Sequence, residues 1–163
     1  LAAARAETPD DPAALAALSN GSPGEALRLL AEDGPALYAR LAGLLGTAPG
    51  IDAVGLTRLA ELADGKTAGD RYAAIARLTT LLLQRLARAG AGAAPAAEAA
   101  PGEAALAARL APDLARARIW AEAASDAQAR AGRGQALNLD PGAVILDIWI
   151  RIDAAAGRAL RGV

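Results

Sequence analysis

Asp70-Arg71-Tyr72-Ala73-Ala74-Ile75-Ala76-Arg77-Leu78-Thr79-Thr80-Leu81-Leu82-Leu83-Gln84-Arg85-Leu86-Ala87-Arg88 is the longest clear amphipathic stretch of the chain. Tyr72, Ile75, Thr79, Leu82 and Leu86 recur at alternating steps of three and four, which puts them on one face of an α-helix. Arg71, Arg77, Gln84 and Arg88 lie mostly off that stripe. No segment alternates apolar and polar residues at the period of two that a half-buried strand needs. The fold class that follows is all-α, a helical bundle.

The other boundaries are marked by capping residues. Asp11-Pro12 reads as N-cap and first helical residue, and Asn20-Gly21 closes that short helix. Ser22-Pro23-Gly24-Glu25 has the form of a capping box, the hydroxyl taking the third amide while Glu25 reaches back. Gly34-Pro35 punctuates. Ile51 and Leu56 stand at staple spacing around an Asp52 cap, and Leu139 and Val144 around Asp140. Ala89 to Gly102 is low-complexity Ala, Gly and Pro, read as a flexible insertion. Pro112 predicts a break in the helical run from Glu103 to Ala131. Within that run Ala117, Ala121, Ala124 and Ala127 form a narrow face suited to close packing. Gly132-Arg133-Gly134 reads as a loop. Asp140-Pro141 opens a last helix with a broad apolar stripe of Val144, Ile145, Ile148, Trp149 and Ile152, and Asp147 pairs with Arg151 at i,i+4.

Composition agrees with helix. Of 163 residues, 54% are hydrophobic but 2% aromatic, so the core is built from small and medium side chains, chiefly Ala and Leu. These lead the helix propensity scale. Seventeen basic and eighteen acidic residues leave a net charge of −1, without the basic excess that phosphate neutralisation asks of a nucleic-acid binder. Lys66 is the only lysine. Cys is absent, so thiolate metal sites and disulfides are excluded. No apolar run approaches the ~20 residues of a membrane span. The chain lacks Met and begins at Leu1, which reads as a piece of a longer protein.

Chemical motifs are sparse. Gly65-Lys66-Thr67 has the ending of a phosphate-binding loop, but Ala60 stands where the leading Gly belongs and a helix precedes it, so two adjoining helix caps explain it better. Gly132-Arg133-Gly134 lacks the third glycine of a dinucleotide fingerprint. With no His or Cys, Ser19, Ser22 and Ser125 have no base beside them. Asp10-Asp11 and Glu32-Asp33 are carboxylate pairs at helix ends, where acidic residues serve caps and dipoles. Trp120 and Trp149 read either as core or as interface anchors, since Trp is enriched at binding hot spots. On the second reading the candidate interface is Trp120, Ile145, Ile148, Trp149 and Ile152.

Three segments carry a resemblance by their order and spacing: Gly21-Ser22-Pro23-Gly24-Glu25-Ala26-Leu27, then Trp120-Ala121-Glu122, then Ala136-Leu137-Asn138-Leu139-Asp140-Pro141 followed by Leu146-Asp147. Together they resemble the C-terminal part of bacterial DNA polymerase III delta-prime subunits, a clamp-loader family. The resemblance implies that residues 1–34 are the end of an AAA+ lid-like helical domain and that 35–163 form a helical collar, with 89–102 an insertion outside the family pattern. ATP-binding relatives carry a sensor Arg two residues after the Ser, a position held here by Gly24. Arg28, one turn on, does not match that position. The implied role is non-catalytic and cytoplasmic, without cofactor or metal. The collar would join gamma/tau and delta subunits in a ring that loads the sliding clamp on primed DNA. The competing readings are a free-standing helical adaptor that binds a partner helix and, less well supported by the residues, a small enzyme or a DNA-binding module. The delta subunit, similar in plan, is a nearby alternative.

Overall fold

The computed structural model describes residues 12–64 and 68–161. Within them the chain forms eight α-helices and no strand: α1 (Pro12–Ser19), α2 (Pro23–Ala31), α3 (Gly34–Gly46), α4 (Ala53–Ala63), α5 (Ala68–Gly90), α6 (Glu103–Leu110), α7 (Leu114–Ala136) and α8 (Pro141–Arg161). The Asp11 cap, the Asp10-Asp11 pair and Gly65-Lys66-Thr67 lie outside the described residues.

The caps do most of the local work. Asp52 accepts from the Val54 and Gly55 amides, Asp113 from the Arg116 amide and Asp140 from the Ala143 amide, satisfying amides that have no partner inside the helix. The box at Ser22 forms only by half. Its hydroxyl accepts from the Glu25 amide, but the Ser22 amide donates to Ser19 and the Glu25 carboxylate turns to Arg77. The break at Pro112 is present, separating α6 from α7.

The chain does not stop at Gly132. α7 runs through Gly132-Arg133-Gly134 to Ala136, which corrects the expected loop. The reason is packing: a Cβ at Gly134 would meet Tyr72 Oη at 2.8 Å and Val144 Cγ2 at 2.9 Å, so glycine lets α5, α7 and α8 close on one another there. Of the expected alanine face, Ala117, Ala124 and Ala127 are buried, whereas Ala121 is exposed and Trp120 takes its place inward.

α5 is the central element, packed against α3, α4, α6 and α7, while α8 packs on α4 and α7. The Tyr72 hydroxyl near the start of α5 donates to Ala131 O near the end of α7, so these two run antiparallel. Arg116 Nε donates to Ala159 O and Arg130 Nη1 pairs with Asp147 at 2.7 Å, so α7 and α8 also run antiparallel. Asp64 at the end of α4 accepts from the Gly142 amide at 2.7 Å, and Asp153 on α8 accepts from the Gly50 and Ile51 amides. α4 is thereby pinned to α8 at both of its ends. All five stripe residues of α5 are buried, and one contiguous core reaches from Leu18 and Leu29 to Ala159. The first two helices thus share the core of the rest, and no break in it falls at residue 34.

The Ala89–Gly102 segment is exposed over residues 91–94 and 96–98 and is tied to the bundle at a few points. α5 continues to Gly90, Ala99 and Ala100 are buried, and Ala97 O accepts from Arg85.

Candidate functional site

The five residues expected at an interface are interior. Trp120, Ile145, Ile148, Trp149 and Ile152 are each at most 2% exposed. The four on α8 are covered because that helix lies between α4 and α7 and so buries a wide arc on two sides. Trp120 Nε1 donates to Leu110 O at 2.8 Å, tying α7 to the end of α6, whereas Trp149 Nε1 is buried without a partner. The apolar residues that α8 does present are Ile150 and Leu160, joined elsewhere by Leu27, Val54, Leu114, Leu137 and Leu139. Leu27, Leu137 and Leu139 fall in the segments that carry the resemblance, and Leu139, read as a staple, is exposed; the others did not stand out, since isolated exposed apolar residues carry no periodic signal.

Gly24 is the second residue of α2, and no atom lies within 4 Å of a Cβ built on it. Packing therefore does not demand glycine there. Arg28 pairs with Glu32 at 3.0 Å on the same helix. Glu25 and Glu32 both pair with Arg77 of α5, which fastens α2 to the bundle. Ser19 Oγ donates to Ala16 O, and the Glu32 carboxylate is taken by arginines.

The outward side of the α7–α8 pair is grooved and charged. One stretch, about 330 Å³, lies between Glu122 and Asp126 on α7 and Arg151 and Arg158 on α8. The next, about 500 Å³, lies between Arg130 and Arg133 on α7 and Asp147 of α8 with Asp140, its N-terminal cap. Arg130 bridges Asp126 at 2.8 Å and Asp147 at 2.7 Å, and Arg151 also reaches Asp147. The hydrogen bonds that Arg130 donates to Asp126 and Asp147 hold its guanidinium above its ordinary pKa despite some desolvation.

A second polar cluster is buried and was missed by sequence reasoning. Glu103 Oε1 accepts from Arg85 Nε and from the Tyr38 hydroxyl, each at 2.6 Å, and Oε2 accepts from Arg85 Nη2 at 2.9 Å and the Ala99 amide at 2.7 Å. Burial alone would raise the Glu103 pKa, but these hydrogen bonds and the Arg85 charge outweigh it and hold the carboxyl below its ordinary value. Burial, then the neighbouring carboxylate, push the Tyr38 phenol far upward, so it stays a donor. The cluster borders a pocket of about 290 Å³ between α5, α6 and the 91–102 segment. Every acceptor and donor is turned into the protein, so its chemistry is that of a strut. The available signal was Arg85 itself, an ion set beside Leu82 and Leu86. Among the described residues no group of His, Cys, Asp and Glu has metal-site geometry, and no helix is long and apolar enough to cross a membrane.

No protein-family model matches the chain, and neither does any curated protein or solved structure.

Proposed function

We propose that this chain is the lid end and collar of a delta-prime-type clamp-loader subunit, a non-catalytic helical module that holds gamma/tau and delta subunits in a ring in the cytoplasm. Contact with the sliding clamp and primed DNA would come through the whole complex. The observation that carries the reading is the α7–α8 hairpin. It unites Trp120-Ala121-Glu122 with the Asp140-Pro141 helix start in one antiparallel pair, with core on one side and a charged groove on the other. Gly24 adds support, since an open position that could hold a sensor side chain is left without one.

A second reading, a free-standing helical adaptor, is favoured by the closure of the bundle around both tryptophans, which are covered by the chain's own described residues. Mixing the chain with purified gamma/tau and delta subunits separates the two. Incorporation into a stoichiometric hetero-complex supports the collar. A stable homodimer that takes up neither subunit supports the adaptor.

A further inference from the structure

Glu122 on α7 and Arg158 on α8 line the same groove, over a floor of Ala123, Ala127, Ile152 and Ala155, yet no ion pair joins them. Both are exposed, and neither has another hydrogen-bond or ion-pair partner among the described residues. Beyond the Arg130–Asp147 bridge the signs invert: Arg133, without a side-chain partner among the described residues, stands on the α7 rim and Asp140, the cap that precedes α8, on the facing rim. Along α7 the rim therefore reads acidic, acidic, basic, basic over Glu122, Asp126, Arg130 and Arg133. The facing rim reads basic, basic, acidic, acidic over Arg158, Arg151, Asp147 and Asp140. The floor is of small residues, which lets another helix approach closely.

We infer that this groove receives one α-helix of a neighbouring subunit, about three turns long, with small apolar residues toward the floor and charged flanks in the opposite order to the rims. This rests on the assembly role proposed above and names the face that performs it. Asp126, Arg130, Asp147 and Arg151 neutralise one another in one network, so the incoming helix meets the charges outside it, with a basic residue at Glu122 and acidic residues at Arg158 and, past the bridge, at Arg133. Opposite charges steer the encounter, and like charges reject a helix set in the wrong register or direction. The unpaired state of Glu122, Arg133 and Arg158 is what a partner of that pattern would resolve.

The test is calorimetric titration of the chain with purified gamma/tau and delta subunits, for wild type, Glu122→Arg and Arg158→Glu. Neither residue pairs with another described residue, so both variants are expected to melt within about 2 °C of wild type. Each reversal is expected to weaken binding at least about tenfold, and the wild-type affinity to fall with added salt. Wild-type binding with both variants within about twofold of it would overturn this face while leaving the assembly role standing. Wild type that binds neither subunit would overturn both. A homodimer abolished by Arg158→Glu would make the occupant a second copy of the chain and overturn the partner inferred here.

Discussion

Arg85 on α5 and Glu103 on α6, eighteen residues apart in sequence, meet at 2.6 Å where each is only 6% exposed. The pair closes the loop between its two helices and fixes the segment in between through Ala97 and Ala99. Removing one partner strands the other as a buried charge. Arg85→Ala is accordingly expected to cost about 3–5 kcal/mol in chemical denaturation. Arg85→Met combined with Glu103→Leu is expected to regain most of it, since two apolar groups leave no orphan. A loss below about 1 kcal/mol for Arg85→Ala would show that the site is open to water.

The same pair sets an acid limit. Glu103 titrates in the folded chain below its ordinary value of 4.5. As pH falls through that value, the unfolded chain takes up this proton while the folded chain resists it. The stability contributed by Glu103 is therefore present above about pH 4.5 and lost as pH falls through the folded pKa. Denaturation midpoints are expected to drop on acidification below that point, and to drop less steeply in Glu103→Gln. An unchanged slope in that variant would contradict the assignment.

The two tryptophans are expected to respond differently to Phe. Trp120→Phe deprives the Leu110 carbonyl of its donor at a buried helix end, an extra loss of about 1–3 kcal/mol. Trp149→Phe deletes an indole N–H that has no partner, so its cost is mainly lost ring volume. Thermal midpoints, which move about 2–4 °C per kcal/mol at this size, should place Trp120→Phe lower. The reverse order would contradict the hydrogen-bond assignment.

Two glycines offer a further contrast. Gly24→Ala meets open space in a helix and is expected to stabilise by about 0.4–1 kcal/mol. Gly134→Ala drives a methyl into Tyr72 and Val144 and is expected to destabilise by about 1–3 kcal/mol. Equal effects at the two positions would show that α7 has room to move at Gly134.

Most helix starts were legible because the signals are local: Ser22, Asp52 and Asp140 each act within three residues of the amide they cap, whereas before α7 only the break at Pro112 was read and not the Asp113 cap. What was not legible depends on distant partners. Gly132-Arg133-Gly134 has loop chemistry, and only the approach of Tyr72 and Val144, from two other helices, explains a glycine inside α7. Glu25 fits a capping box, yet Arg77, fifty-two residues on, takes its carboxylate. The apolar width of α8 was visible in Ile145, Ile148, Trp149 and Ile152. Whether α4 and α7 or another subunit covered that width was not, because periodicity identifies an apolar face without naming what packs on it.

The assembly role is tested most directly by size-exclusion chromatography with light scattering on this chain, alone and mixed with gamma/tau and delta subunits. The expected result is a shift into a stoichiometric hetero-complex. A stable species whose mass ignores both subunits, monomer or homodimer, would contradict the collar reading.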